Sequence, residues 1–596
     1  MYSSVKSVRY LSAVLKKYGV KYAVLSSGTC SIPVLRTLEV DDDFVCFSDI
    51  DERSAVFFAI GIAQASNSPV AVVCTSGTAA CNYLPGVIEA KKLHVPLVIV
   101  TCDKIPYGMG NKILQKINQD QIFGDNVKIS VCPPIIKKKE DEKDCEWTIS
   151  KALYYMTLHT PGPVHINLYT DGEKKTFESK SLPVVLGPIA YYDHSRLKDE
   201  CKELKSILKT KNRILITVGQ MPNPLAQETV HSLEVFCKKF PAVIIAENIS
   251  NFRSQQKVLS YRITEQVDLD LLKERLAPDL IISIGEYYAA YQIMPFLKQT
   301  SSQHEFWCVN HSGYPANVWN SLSKVFECNI FDFFSILSND EADRDENEYY
   351  TKWDEIDKMV SIPDDIPFSS FMAVVSASSF FEKCHMIHAA ILNSTRLVNM
   401  VSVPDHTNVY SNLGALGIDG CLSTYLGQAS ETHAGLDLCV IGDLSFLYDA
   451  NALLDCAPAP NMRVILLNNG GGSEFHFNTG ISVIPEIDDY IAAGHAATLS
   501  HYAQKCGFSY YSARNEDELK NVLPEFFSDN GAAFLEVKTD IEEDAQVIKE
   551  VRARNTIRSI KKVNATNTHM LLRKIIGVRR TEKLVRIAKI ILEKGE

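Results

Sequence analysis

Three times along its length this chain alternates short runs of apolar, largely β-branched residues with stretches of helical periodicity. From Tyr22 to about Leu168 the runs are KYAVL, FVCFS, PVAVVCT, PLVIVT and PVHINL. From Arg213 to Phe334 they are RILITVG, AVIIAE, LIISIG and EFWCVN, and from about Met386 they include TNVYSN, LDLCVIGD, MRVILLNN and AAFLEVKT. Continuous apolar runs of this length, separated by helices, predict strands buried on both faces. A chain patterned this way is confined to the α/β class, with parallel sheets flanked by helices.

At 596 residues the chain exceeds what one core supports, and the threefold alternation predicts three α/β domains. Their bounds are read as residues 1–185, 190–365 and 375–550. The charged segment EADRDENEYYTKWDEID, from Glu341 to Asp357, reads as a solvated helix or a linker beside the second boundary. Residues 551–596 differ in character, with thirteen Lys and Arg against three Glu in a chain whose formal net charge is -11. In HMLLRKIIGVRRTEKLVRIAKIILEKGE the apolar residues recur at helical spacing, so the tail is expected to be a basic amphipathic helix or pair of helices. It could pack on its own or a neighbouring subunit, or attach to an anionic membrane or acidic partner. The net charge argues against a general nucleic-acid surface. Sixteen scattered cysteines with no CxxC pair fit reduced thiols and a cytoplasmic protein. The N-terminal MYSSVKSVRYLSAVLKKYGV reads as an amphipathic helix rather than a signal peptide.

The chemistry is concentrated in GDLSFLYDANALLDCAPAPNMRVILLNNGGG, Gly442 to Gly472. LDLCVIGD ends a strand at Gly442-Asp443, LYDANALLDC reads as a helix, and MRVILLNN ends the next strand at Asn468-Asn469. Asp443 and Asn469 therefore fall at the carboxyl edge of adjacent parallel strands, where open α/β sheets place ligands. A carboxylate, an amide oxygen and a backbone carbonyl are hard ligands suited to Mg²⁺, and glycines 470 to 472 permit close approach of a diphosphate. Gly-Asp and Asn-rich turns are also ordinary loop chemistry.

Taken together the two ends resemble the GDG…NN signature of thiamine-diphosphate enzymes, with Leu444 in place of the second glycine. FSDIDERSAVFFAIGIAQAS supplies an acidic residue, Glu52, after a strand and before a helix, as that family requires. With TSGTA and YSNLGALGIDGCLSTYLG the chain looks like the MenD branch, the synthases that decarboxylate 2-oxoglutarate and add the resulting carbanion to isochorismate. The resemblance runs over roughly residues 10 to 540. It implies pyrimidine-binding, central and diphosphate-binding domains, with thiamine diphosphate and Mg²⁺ as cofactors. Glu52 would activate the cofactor, and Asp443, Asn469 and the Gly471 carbonyl would hold the metal. Gly442, Leu444, Ser445 and Gly472 would lie against the diphosphate, and Gly417 and Ile418 beneath the rings. In the family Glu52 and the metal pair meet across a subunit interface, so a homodimer or homotetramer is expected.

The resemblance fails where the family clamps anionic substrates with arginines. SPGSRSTP becomes SSGTCSIP, putting Cys30 in an arginine's place; ADRPP becomes CDKIP, leaving Lys104; SNRGASGIDG becomes SNLGALGIDG, leaving Leu413. A Lys-Arg pair falls on Tyr291 and Gln292, and ILNSTRLVNM keeps Ser394 while moving its arginine to Arg396. Each lost charge-assisted contact is worth about 1.5–3 kcal/mol, so the substrate pocket is expected to be altered. Gln115 and Gln119 remain as neutral candidates at the site mouth, also readable as surface glutamines. Glu474, Phe475 and His476 compete for one position near the reaction centre. His385 and His388, in HMIH, have a spacing that could bind metal on a helix but lack an evident third ligand. The expectation is a 2-oxo acid decarboxylase and acyl transferase with an unidentified small-molecule or sugar acceptor, by analogy in surface-polysaccharide precursor synthesis. A true MenD synthase is the alternative. A catalytically silent scaffold docked by the basic tail is a reading of another class, against which the retention of Glu52 and the full metal pair argues.

Overall fold

A computed structural model of the chain describes residues 1–554 except 67, 171–175, 222, 364, 431–434, 455–457 and 478–486. Of the basic tail, 551–554 close the helix Ile541–Arg554, and 555–596 lie outside the described residues. Each predicted apolar run is a strand. In chain order these are β1 (Tyr22–Leu25), β2 (Val45–Ser48), β3 (Val70–Cys74), β4 (Leu97–Asp103), β5 (Ser130–Val131), β6 (Val164–Tyr169), β7 (Ala190–Asp193), β8 (Ile214–Val218) and β9 (Ala242–Ala246). They continue as β10 (Lys257–Leu259), β11 (Leu280–Ile284), β12 (Glu305–Asn310), β13 (Leu322–Glu327), β14 (Cys384–Ala389) and β15 (Asn408–Tyr410). The last four are β16 (Leu436–Gly442), β17 (Met462–Asn468), β18 (Ser509–Ala513) and β19 (Ala533–Lys538).

Two compact units are formed, one from Met1–Ser195 with Glu305–Cys328, the other from Arg196–His304 with the chain from Asn329 onward. In the first unit a six-stranded sheet has the order β2-β1-β3-β4-β6-β5, parallel throughout. Strands β3 and β4 are buried along their whole length, which is why their sequence shows no polar alternation. The N-terminal helix Lys6–Lys17 buries Val8, Leu11, Val14 and Leu15, one helical stripe. Strand order reverses between β1 and β3, so the loops after these strands open at a switch point. The same unit contains β13 flanked in parallel by β12 and β7.

The second unit holds β10-β9-β8-β11, also parallel, and a six-stranded parallel sheet of order β15-β14-β16-β17-β19-β18. Here the order reverses between β14 and β16. Within this unit Asn248 joins the two sets of strands. Its Nδ2 donates to the carbonyls of Val398 and Val401, both at 2.9 Å, while its N–H donates to Asn399 Oδ1. Asn251 pairs reciprocally with the backbone of Val409. Arg463, on β17 and 1% exposed, places its guanidinium among five carbonyls, those of Pro460, Met462, Phe526, Asp529 and Gly531. A buried cation is tolerated because each guanidinium nitrogen meets at least one carbonyl oxygen.

Three expectations about local structure need correction. His385 and His388 lie on strand β14, not on a helix, so their side chains point to opposite faces. His388 is fully buried with Nδ1 2.9 Å from Gln428 Oε1, and burial lowers its pKa to about 4. No group of three or more His, Cys, Asp or Glu that could hold a metal occurs among the described residues. The helix expected over LYDANALLDC starts earlier, spanning Asp443–Asp449 and followed by a 3-10 turn over Ala450–Leu454. The charged segment from Glu341 does contain the helix read there, Glu348–Met359, but it is packed rather than solvated, with Tyr349, Trp353 and Ile356 buried at helical spacing. All fifteen described cysteines are free thiols.

Candidate active site

The central element is the strand, helix, strand unit made by β16, Asp443–Asp449 and β17. The two strands pair in parallel with Gly442 opposite Leu467, so Asp443 and Asn469 emerge side by side at the same edge. Gly442 is extended and Asp443 is the first helical residue. Its carboxylate is 3% exposed and binds the turn together. Oδ1 accepts from Leu444 N–H at 2.7 Å, and Oδ2 accepts from the N–H groups of Gly470 and Gly471 at 2.8 and 3.0 Å. Burial nevertheless pushes the Asp443 carboxyl above its ordinary value, opposed by the nearby His495. His495 accepts Ala497 N–H on Nδ1, which leaves Nε2 as the protonated nitrogen of the neutral ring, and Nε2 lies 3.3 Å from Asp443 Oδ2.

Asn469 is oriented from behind. Its Nδ2 donates to Asp544 Oδ2 at 2.9 Å, which turns Oδ1 the other way. Asp544 is buried and also accepts from the N–H and hydroxyl of Ser370 and the hydroxyl of Thr539. Desolvation raises its pKa. Asp544, which lines the same cleft, thus fixes the orientation of the Asn469 amide. Gly471 has φ of +153° and a Cβ there would lie 2.7 Å from Ala492 O, so the loop admits only glycine. A Cβ on Gly442 would meet nothing within 4 Å. Asp443, Asn469 and Gly471, which can offer a carboxylate, an amide oxygen and a carbonyl, all line a cleft of about 190 Å³. Hard oxygens, a buried carboxylate held at cost, and a backbone kept bare of side chains fit a divalent cation bridging to a diphosphate.

Gly442, Leu444, Ser445, Gly472, Ile418, Ser394, Glu474 and Phe475 line that same cleft with Asp443, Asn469 and Gly471. Ser445 donates its hydroxyl to Ile418 O at 2.6 Å, tying the turn after β16 to the loop that carries Ile418. Gly417 precedes Ile418 in the same loop. Leu413 is buried but does not line the cleft. Arg396 is largely buried, its NH2 3.2 Å from Glu474 Oε1 and its guanidinium 4.6 Å from the centre of the Tyr291 ring. His476 follows Phe475 on the short helix Glu474–Phe477.

The remaining candidates gather at the carboxyl edge of the first unit's sheet. Glu52 is the half-buried first residue of the helix Glu52–Ser66. Buried Cys74 and Tyr83 titrate well above their ordinary values through desolvation first, and also through neighbours that include Glu52. Cys30 is buried, its N–H donating to Thr75 Oγ1 and its Sγ 3.6 Å from Ser76 Oγ. Gln119 is 1% exposed; it accepts from Gly77 N–H and donates to Asn167 Oδ1. Gln115 donates to Ser76 O at 2.9 Å. Both glutamines therefore brace the Thr75-Ser76-Gly77 loop. Lys104 donates Nζ to Leu114 O at 2.5 Å.

Sequence reasoning missed Asp544, Ser370 and His495. A signal existed for Asp544, which follows β19 in KTDIEED beside β17. Only the phase of the helix Ile541–Arg554 selects it from its acidic neighbours.

A cleft of this donor chemistry at the switch point of a parallel sheet is that of a thiamine-diphosphate enzyme, and residues 5–122 match the family described as "Thiamine pyrophosphate enzyme, N-terminal TPP binding domain". Thiamine diphosphate and a divalent metal ion are its cofactors, and it is an enzyme that forms carbon–carbon bonds. The chain is 31% identical over 565 residues to 2-succinyl-5-enolpyruvyl-6-hydroxy-3-cyclohexene-1-carboxylate synthase of Phocaeicola vulgatus, covering 92% of this chain and 98% of that protein. The synthase of Bacteroides thetaiotaomicron is 31% identical over 558 residues, with 92% and 99% covered. That of Flavobacterium johnsoniae is 28% identical over 563 residues, again with 92% and 99% covered. The chain belongs to the family of these synthases, as a divergent member. No helix among the described residues is long and apolar enough to cross a membrane.

Proposed function

We propose that the chain is a thiamine-diphosphate- and Mg²⁺-dependent 2-oxo acid decarboxylase and acyl transferase whose substrate pocket departs from that of the family. The observation that carries this reading is the retained metal cradle of Asp443, Asn469 and Gly471, aimed by Asp544, alongside a pocket that lacks the family's arginines. Bound there, the cofactor supplies the electron sink for loss of CO₂ from a 2-oxo acid. Asp443, Asn469 and the Gly471 carbonyl would hold Mg²⁺. Gly472 would let the backbone approach the diphosphate, Ile418 would lie against the rings, and Glu52 would carry the proton whose transfer activates the cofactor. In this reading residues 1–185, 190–365 and 375–550 are the pyrimidine-binding, central and diphosphate-binding domains. Glu52 then comes from one subunit and the metal pair from another, which makes a homodimer the smallest active unit. The protein works in the cytoplasm, with an activated sugar or glycan precursor as acceptor.

A second reading, synthesis from 2-oxoglutarate and isochorismate, is supported by end-to-end similarity to the synthases. Purified protein with thiamine diphosphate and Mg²⁺ is incubated with a panel of 2-oxo acids, following CO₂ release, with Glu52→Ala as control. Release that requires Glu52 is expected from at least one acid. Turnover confined to 2-oxoglutarate with isochorismate would establish the second reading. No release from any acid by cofactor-loaded protein would sink both and leave a scaffold.

A further inference from the structure

The guanidinium beside the cleft is already occupied. Arg396 lies on the helix Asn393–Met400, its side chain 8% exposed against 19% for Glu474. NH1 donates to Asn393 Oδ1 at 3.0 Å, NH2 to Glu474 Oε1 at 3.2 Å, and the flat face rests on Tyr291. A carboxylate, an amide and an aromatic face thus hold three sides of the cation. Asn393 is in turn fixed by donating Nδ2 to Ser473 Oγ at 3.1 Å.

Position separates the two charges. Glu474 lines the large cleft with Asp443, Asn469 and Phe475. Arg396 instead lines a smaller apolar pocket next to it, with Phe371, Met400 and Phe477. Phe371, Asn393, Leu397 and Ile548 line both, so the two are contiguous. A ligand in the large cleft therefore has the carboxylate, rather than the guanidinium, on its wall. A second carboxylate on that ligand would face Glu474 at like charge. To reach Arg396 it would have to displace Glu474, leaving a mostly buried carboxylate without its partner.

We propose that Glu474 is a specificity-determining residue that engages Arg396, so that this wall of the cleft rejects a remote carboxylate and accepts substrates whose distal group is uncharged and polar. The proposal deepens the functional reading and rests on its assignment of the cleft as the substrate site.

The test is equilibrium binding, independent of turnover. Succinate and its monoamide, succinamate, have nearly the same shape and differ by one charge. Each is titrated calorimetrically into the full chain loaded with thiamine diphosphate and Mg²⁺. Wild type is expected to bind succinamate roughly tenfold or more tightly than succinate, a difference of about 1.4 kcal/mol. Glu474→Gln should raise succinate affinity about tenfold, Glu474→Asp should keep the wild-type preference, and Arg396→Gln in the Glu474→Gln background should abolish the gain. Thermal unfolding confirms that each variant is folded. Succinate binding to wild type as tightly as succinamate, an unchanged ratio in Glu474→Gln, or binding of neither compound to any form would overturn the proposal. Intact selectivity with no CO₂ release from any 2-oxo acid would sink the functional reading alone.

Discussion

At the scale of single residues, the proposed metal cradle rests on one carboxylate that the fold buries at a cost. Asp443 is a desolvated carboxyl whose pKa is raised by burial, so at neutral pH its ionised form is less favourable in the fold than in the unfolded chain. Asp443→Asn removes that charge while its one amide oxygen can still accept from Gly470 and Gly471, and relief of the buried charge offsets loss of the acceptor for Leu444 N–H. Without metal the variant is expected to unfold at the wild-type temperature or slightly above. The rise in unfolding temperature that Mg²⁺ and thiamine diphosphate together produce in wild type should disappear. Scanning calorimetry with and without both ligands measures the two effects separately.

The elements set where those residues stand. Strand β17 delivers Asn469, and its start is anchored by Arg463, whose five carbonyl partners span three stretches of chain. Truncating it to Met leaves buried acceptors without donors, each costing about 1–3 kcal/mol where water cannot reach. Arg463→Met should therefore cost about 3 kcal/mol or more in urea unfolding, and Arg463→Lys most of that, since an ammonium lacks the planar fork. A loss below about 1 kcal/mol in both would show that the carbonyls find other donors.

For the whole molecule, two buried histidines couple stability to acid. Burial lowers the pKa of His165 on β6 to about 3 and that of His388 on β14 to about 4. Each is neutral in the fold but would take a proton near pH 6.5 once unfolded. Their stabilising effect is thus complete above about pH 6.5 and declines as pH falls toward 4 and 3, because the unfolded chain binds protons that the folded one refuses. Unfolding temperatures measured from pH 8 to pH 4 should drop mainly below pH 6.5. His388→Gln, uncharged at any pH, should flatten part of that drop.

Much of this was open to reading in the chain itself. The alternation of apolar runs determined the parallel sheets, since a strand buried on both faces admits no polar alternation. The spacing from Gly442-Asp443 to Asn469 placed two hard ligands at one sheet edge, because a strand, helix, strand crossover returns the chain to the same side. Local patterns of this kind depend only on neighbours in sequence. They could not choose Asp544 from Asp540, Glu542 and Glu543, nor show that Gln119 is spent bracing a loop. They could not show that HMIH is a strand, nor that Arg396 is already held by Glu474, 78 positions away. Those outcomes were decided by the tertiary structure, because burial, hydrogen-bond partnership and charge pairing arise between groups that only folding brings within a few ångströms.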